Sequence, residues 1–565
     1  MNHPASSTLG KMLENSVRLH AERPALAFAG REPMTYRELG RRVAETSALL
    51  RGLGIHAGDR VAILSENMPN WGIAFFSVTS MGAVNVPILP EFHENEIRHI
   101  LHHSGCKALF VSDPLADKAG SYAELGINLI RIESLSPYPA ESGREKIKSI
   151  LAKGRQQVDR LKEAAHKMGI GHDRETGPDD IASIIYTSGT TGHSKGVMLT
   201  HGNLVSNAVA CSIVQNVNPE DRFLSILPLS HAYENTVGFL LPVMQGACIN
   251  YLEKPPTPSI LIPALAQVKP TVMLSVPLII EKIVRKRVFA EISKKKILKL
   301  LTALPAVRRL IFRKAGKKLM GVFGGRLRFF GIGGAAVAPD VEAFLREAGF
   351  PYAVGYGLTE TSPLATGASP EKTRFQSAGQ PVQGAELRIN DPDPQTGEGE
   401  IWIRGPLVMK GYYRDPERTS QVLTPEGWFK TGDLGYLDKD EYLFIKGRLK
   451  NVIVRPDGEN VYPEEIESVL NACDYVQESL VYRRGDQLVA RVLLDYERLD
   501  RENQGRHAGE HQMRERIQNI LEEIRLKVNA SVNAFSRIHS TIEQTEPFEK
   551  TPTQKIKRYL YVEHP

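Results

Sequence analysis

The sequence predicts an α/β protein in two unequal parts: a large, multi-subdomain α/β domain over residues 1–447 and a smaller α+β domain over 448–565. Three observations carry this. Amphipathic helical runs alternate with short apolar strands through most of the chain, the pattern of a mostly parallel sheet covered by helices. At 565 residues the chain is too long for a single core. The texture then changes after Val452-Ile453-Val454, where a helix, two strands and a long helix follow within roughly a hundred residues, an ordinary domain size.

Taken in order, residues 8–21 place Leu9, Met12, Leu13, Val17 and Leu19 near helical spacing, and Pro24 to Phe28 reads as a short strand. Met34 opens a turn and an amphipathic helix closed by Gly52 and Gly54, with a strand at Val61–Leu64 beyond. Trp71 to Ser80 predicts a helix, and Ala83 to Ile88 a buried strand. Gly143 to Gly177 is polar, with apolar residues at rough helical spacing, and predicts an exposed helical insertion. Ile181, Ile184, Ile185 and Tyr186 predict a strand, and a second apolar run resumes at Val197. Phe223 to Leu229 predicts a strand that breaks into Ser230-His231-Ala232-Tyr233-Glu234, and Leu327–Phe330 and Gly399–Gly405 predict further strands. Tyr462 to Leu470 opens a helix with proline and acids in its first turn. Strands at Glu478–Tyr482 and Leu488–Leu494, a polar loop at Arg501–Gly509 and a helix from about Gln512 to Val528 complete the chain.

Composition excludes several classes. With 42% hydrophobic residues and no long apolar run, a membrane-spanning protein is not expected. The start, MNHPASSTLGKML, has no signal-peptide pattern. Cys106, Cys211, Cys248 and Cys473 are scattered without ligand spacing, so buried thiols in a reducing cytoplasm are expected. Charge is uneven: Glu281 to Arg328 holds 16 Lys/Arg against two Glu, a local +14, which leaves −8 for the rest of a +6 chain. A solvated helix face is the ordinary reading of such a stretch. The functional alternative is peripheral contact with an anionic membrane, on the inner face in a cytoplasmic protein, or with a phosphorylated ligand. Nucleic acid is not expected, because no groove-reading motif accompanies the charge.

The chemistry-bearing residues are concentrated in loops. Thr187-Ser188-Gly189-Thr190-Thr191-Gly192-His193-Ser194-Lys195-Gly196 joins two apolar runs. Its glycines let backbone N–H groups converge, and its hydroxyls and lysine suit a polyphosphate. It is not the common P-loop: Ser194 rather than glycine precedes Lys195, and a strand-like run follows. Gly331-Ile332-Gly333-Gly334-Ala335-Ala336 follows a strand and allows close approach of a flat ligand. In Tyr356-Gly357-Leu358-Thr359-Glu360, the ring could stack on a base and the carboxylate could hold a hard cation. Asp433, placed in a tight turn by Gly432 and Gly435, could accept ribose hydroxyls. Lys446-Gly447-Arg448-Leu449-Lys450-Asn451 marks the boundary, and Lys555, Lys557 and Arg558 close the chain with positive charge. His231, alone, is more often structural than catalytic.

Taken together, YTSGTTGHSKG, GGAA, GYGLTE, TGD, GRLK with NVYPEEIE, and a C-terminal lysine resemble the adenylate-forming (AMP-binding) enzymes over nearly the whole chain. LPLSHAYE (227–234), YGLTETSP (356–363) and TPTQKIKR look most like long-chain fatty acyl-CoA synthetases. Two positions depart from the commonest pattern, Ser194 where proline is usual and Gln554 where many members carry glycine; the second is shared by long-chain-type enzymes. The resemblance implies the adenylate-forming fold with a mobile small domain, and a two-step reaction. A fatty acid and Mg-ATP give acyl-AMP and pyrophosphate; CoA then takes the acyl group. A carrier-protein acceptor and a short-chain or aromatic acid are the alternatives, and a homodimer stays open.

Residue by residue, the resemblance assigns phosphate binding to Thr187, Ser188, Gly189, Thr190, Thr191, Gly192 and Lys195, and Mg²⁺ to Thr187 and Glu360. Gly333, Gly334, Ala335, Tyr356, Gly357 and Thr359 would hold the adenylate. Asp433 would take the ribose and Arg448 the ribose or phosphate. Lys555, ahead of Lys557, would join Glu360 and Thr187 in catalysis. Lys450 would be the hinge within 448–451, and His231 and Gly238 would line the acyl pocket.

Overall fold

The computed structural model describes residues 7–119, 126–138, 175–187, 194–294, 296–454, 460–485, 487–503, 510–551 and 555–562. The expected helical insertion, from Gly143 to 174, lies outside these residues, as do Ser188, Gly189, Thr190, Thr191 and Gly192.

Two large sheets dominate. One has seven strands in the order Tyr352–Val354, Phe329–Ile332, Val272–Ser275, Arg222–Ser225, Cys248–Tyr251, Pro24–Phe28 and Met34–Thr35, parallel except for the last pair. The other has eight, and at its centre Ile181–Thr187 lies between Val84–Ile88 and Lys195–Thr200. Helices Leu9–His20, Pro69–Ser80 and His201–Val214 contribute to one continuous core shared by both sheets. Pro69–Ser80 is apolar nearly all round, as a helix enclosed on both sides must be. Trp71 and Phe75 each meet the Phe239 ring edge-on, at 5.8 and 5.7 Å. Gly72 makes room for that ring, since a Cβ there would lie 2.8 Å from it. Fully burying each such side chain stabilises the fold by about 1.5–3 kcal/mol.

Helix starts follow local chemistry. The Thr8, Thr35 and Thr200 side chains accept from the N–H of Lys11, Glu38 and Asn203, satisfying donors a helix cannot pair internally. Beyond residue 380 a four-stranded antiparallel sheet forms from Glu386–Asn390, Gly399–Arg404, Phe429–Leu437 and Leu443–Arg448. The chain from 460 onward has a core of its own, centred on Ile466, Leu470, Val492, Leu521 and Val528. There Pro463–Asn471 and Glu510–Asn529 are helices, and Val476–Arg484, Gln487–Leu494 and Ser540–Gln544 form a sheet.

Several sequence expectations need correction. The strand expected at Leu327–Phe330 runs Phe329–Ile332, so Gly331 is a strand residue and the turn begins at Gly333. Asp433 lies within the strand Phe429–Leu437 and not in a tight turn; Gly432, at φ +70°, sits where the pairing with Gly399–Arg404 slips into a bulge. Residues 501–503 continue the helix Tyr496–Asn503 instead of opening a loop. The parallel strand Ser540–Gln544 was not expected at all, because it has a polar, half-buried sequence with no apolar alternation.

Candidate functional site

The parallel strands Arg222–Ser225, Val272–Ser275, Phe329–Ile332 and Tyr352–Val354 all end on one edge, the edge where open α/β sheets receive ligands. From it emerge 226–234, 333–336 and 355–361. Gly331 and Gly333 are glycines because Tyr233 lies along their backbone: a Cβ would fall 2.9 Å from its hydroxyl and 3.2 Å from its ring, respectively. Gly334, at φ +90°, and Ala335 are exposed beyond that contact.

Tyr356 turns out of the parallel sheet to pair with Thr366. Its hydroxyl donates to Asp433 Oδ2 at 2.8 Å, while Arg448 Nε lies 2.9 Å from Oδ1. Asp433 and Arg448 face each other across one ladder. Burial pushes the Asp433 carboxyl up, and the Arg448 charge opposes this. Tyr356 therefore fixes the carboxylate as well as standing where a base could lie. Gly357 answers to packing, because a Cβ there would sit 1.7 Å from the Pro363 carbonyl oxygen. Thr359 opens the short helical turn Thr359–Thr361 that carries Glu360.

Glu360 is 8% exposed and accepts from the Tyr412 hydroxyl at 2.9 Å. Lys195 donates to the same Tyr412 oxygen at 3.3 Å and lies over its ring, 4.6 Å from the centroid. Thr187 pairs directly with Lys195 across the ladder, so the two ends of the hydroxyl-rich loop are held together. Tyr412 was invisible to sequence reasoning. It enters through Gly411–Tyr412, a two-residue strand that adds to the edge at Lys195–Thr200 and has no motif of its own.

Lys555 approaches this cluster from the C-terminal part of the chain. Its ammonium interacts with Arg448, Asp433 and Glu360, and burial, then Arg448, lowers its pKa. The residue itself is exposed to solvent. Lys557, by contrast, pairs with Glu549 at 3.6 Å. Lys450 is also pushed down, by burial and by Arg448, Lys195 and Lys555. Lys195, Arg448, Lys450 and Lys555 thus gather around Asp433 and Glu360, an excess of positive charge suited to a polyanion. The parts are tied by Lys446, which bridges Glu398 at 3.2 Å and Glu465 at 2.9 Å, and by Tyr462, which donates to Glu398.

His231 has its Nδ1 occupied by the Tyr233 N–H at 3.3 Å, which leaves any ring proton on Nε2. Burial and the nearby Lys555 charge hold its pKa at about 4, so the imidazole is neutral at pH 7. Gly238 lies beneath Glu234: a Cβ would meet that carboxyl at 2.6 Å. Glu234, 1% exposed, opens the π-helical stretch Glu234–Leu240, and burial raises its pKa to about 8. Neither Tyr233 nor Glu234 was singled out from sequence, though both lie in the LPLSHAYE segment.

Among the described residues no three His, Cys, Asp or Glu side chains gather as a metal cage. Glu360 and Thr187 offer hard oxygen donors, which fits a magnesium ion carried in on phosphate oxygens and met by one or two protein groups.

A family model described as AMP-binding enzyme matches residues 13–413. The chain is 30% identical to the peroxisomal long chain acyl-CoA synthetase 7 of Arabidopsis thaliana, covering 99% of this chain and 85% of that one. It is 30% identical to the long-chain-fatty-acid–CoA ligase FadD15 of Mycobacterium bovis, over 94% and 90% of the two. The crystal structure of the anthranilate CoA ligase AuaEII with anthranoyl-AMP superposes with a TM-score of 0.76 at 21% identity, covering 99% of this chain and 97% of that one. The chain belongs to the AMP-binding enzyme family, and its fold is that of the adenylate-forming enzymes.

Proposed function

We propose that this protein is an ATP-dependent, AMP-forming ligase that activates a long-chain fatty acid as acyl-AMP and passes the acyl group to CoA. The observation that carries the reading is the convergence of Lys195, Arg448, Lys450 and Lys555 on Asp433 and Glu360. The long-chain substrate and the CoA acceptor rest on the relatives' activities.

In the first step a carboxylate must approach a triphosphate, and the barrier is charge repulsion. Lys195 and the hydroxyls of Thr187, Ser188, Thr190 and Thr191 would bind the outgoing phosphates, with N–H groups of Gly189 and Gly192. Glu360 and Thr187 would hold Mg²⁺, which when bound supplies further positive charge. Gly333, Gly334, Ala335, Tyr356, Gly357 and Thr359 would bound the adenine side, while Asp433, fixed by Tyr356 and Arg448, accepts the ribose hydroxyls. Lys555 would stand at the reacting oxygens. His231, neutral and with Nδ1 occupied, could offer Nε2–H to the incoming carboxylate without adding charge beside Lys555. His231 would then mark the acyl entrance, with Gly238 and Glu234 behind it. In the second step the part from 448 onward would rotate about Lys450, within 448–451, withdrawing Lys555 so that a thiol can enter.

Pyrophosphate release with Mg-ATP, tested against carboxylates from acetate to palmitate plus benzoate, with and without CoA, decides the matter. CoA-dependent turnover peaking on a long fatty acid is expected. Release that stalls after one turnover despite CoA would move the acceptor to a carrier protein, and a peak on acetate or benzoate would overturn the substrate class. We further propose a cytoplasmic location with peripheral membrane contact through 281–328, and, for the oligomeric state, either a monomer or a homodimer to be separated by sedimentation. No described helix is long and apolar enough to cross a membrane.

A further inference from the structure

The acid-poor stretch that the reaction leaves unused folds into a run of helices, Pro277–Val284, Ala290–Ser293, Lys296–Leu301 and Pro305–Val322. The last is anchored on one side only. Gly316 packs so closely that a Cβ would lie 2.7 Å from the Ala348 carbonyl oxygen, Leu319 is buried, Phe312 meets the Phe344 ring at 5.1 Å, and Arg308 pairs with Glu347. Its opposite side is an exposed stripe of Arg309, Leu310, Arg313, Lys314, Lys317 and Lys318, residues three and four apart along one face. None of these five cations has a carboxylate partner among the described residues. No Asp or Glu occurs between Glu291 and Asp340.

A solvated helix face explains the charges but not their company. Ile297, Leu300 and Leu310 are 76, 75 and 66% exposed, the three most exposed large hydrophobic residues among those described, and Leu304 is 56% exposed. Arg313 and Lys317 also line a depression of about 490 Å³, which runs along the Gly316–Ala348 contact to Met320 and Gly349. Exposed aliphatic residues that precede a basic stripe in the chain and enter it at Leu310 suit a surface that is apolar below and anionic above. The stripe has no aromatic side chain on which a base could stack, and two copies of this face would bring like charges together.

We propose that 296–322 is a docking face for anionic phospholipid bilayers. Ile297, Leu300, Leu304 and Leu310 enter the boundary between headgroups and acyl chains. Arg309, Lys314 and Lys318 lie on the phosphate layer, and Arg313 and Lys317 seat one lipid phosphate in the depression. This rests on the peripheral-membrane reading above and adds the inserting residues, the orientation and the lipid charge.

Vesicle flotation of the full chain tests it, with phosphatidylcholine alone or with about 30% phosphatidylglycerol. The wild type is expected to float with the anionic vesicles at low salt and to be released mostly at about 0.5 M NaCl. The double variant Leu300→Gln/Leu310→Gln, neutral and at exposed positions, should lose about tenfold in binding, as should Lys314→Gln/Lys317→Gln. Failure of the wild type to float, or flotation that ignores the leucines, overturns the proposal. So does leucine-independent binding to soluble heparin exceeding that to vesicles, which would point to a soluble polyanion. Pyrophosphate release on a soluble carboxylate without vesicles should be unchanged in both variants. Its absence in the wild type would count against the ligase reading and leave the flotation result standing on its own.

Discussion

Lys555→Ala is the most informative perturbation of the site. It removes one of four cations facing two carboxylates, lowering the formal balance of the cluster from +2 to +1 at the point where phosphate charge is redistributed. Removing one preorganised contact of this kind costs about 2.7–4 kcal/mol, a fall of about 10²–10³ in rate. The loss should fall on acyl-AMP formation and spare thioester formation from supplied acyl-AMP, since the lysine is proposed to have left by then. The pH dependence is a second, independent readout. Burial and Arg448 lower the Lys555 pKa, so raising the pH strips its charge sooner than from an ordinary lysine, and adenylation should decline on the alkaline side. Lys555→Arg keeps its charge there and should flatten that limb. The assay follows pyrophosphate release and acyl-AMP consumption separately across the pH range, with Lys557→Ala as control. Equal loss in both half-reactions, or a larger loss from Lys557→Ala, would refute the assignment.

Tyr356→Phe leaves the buried Asp433 without one hydrogen bond; a bond to a charged group contributes about 1.5–3 kcal/mol, so KM for ATP should rise at least about tenfold, read by steady-state kinetics. An unchanged KM would detach Asp433 from nucleotide binding. Glu234 ionises near 4.5 when unfolded but is held protonated to about 8 in the fold, so stability falls as pH rises from 4.5 towards 8. Glu234→Gln should escape about 4 kcal/mol of that fall, and thermal melts at the two ends of the range that moved in parallel for both proteins would contradict it. Lys450→Pro should alter the ratio of the two half-reaction rates; identical rates would remove Lys450 as the pivot.

The frame of the molecule was legible because its strands are apolar and its helices capped. Pro69–Ser80, Val84–Ile88 and Ile181–Thr187 announce themselves by burial on every side. Ser540–Gln544 is a half-buried edge strand whose polar residues carry no period, and it went unseen. At the site, residues inside compact motifs could be named: Lys195, Glu360, Asp433 and Arg448. What sequence could not supply was the pairing between motifs. Tyr412 meets Lys195 and Glu360 only because a two-residue strand closes the edge of a sheet, and Tyr356 meets Asp433 across 77 positions. Such contacts depend on topology, which local patterns do not encode. Asp433 was placed in the wrong local geometry for a related reason: flanking glycines suggest a turn and equally a bulge inside a strand.

The cation cluster has a consequence for the order of events. Lys195 belongs to the proposed large domain and Lys450 and Lys555 to the small one, and the charges of Lys195 and Lys555 both lower the Lys450 pKa. Without phosphate, these like charges would repel one another across the proposed hinge. Nucleotide entry would relax that repulsion by supplying counter-charge, and departure of pyrophosphate would restore it while the adenylate still sits on Asp433. On the proposed rotation about Lys450, the first product's exit would be the trigger that drives the small part open, and the second substrate would be admitted only after the first chemistry is complete. Added pyrophosphate should act as a latch, slowing the thioester step without competing for the CoA site.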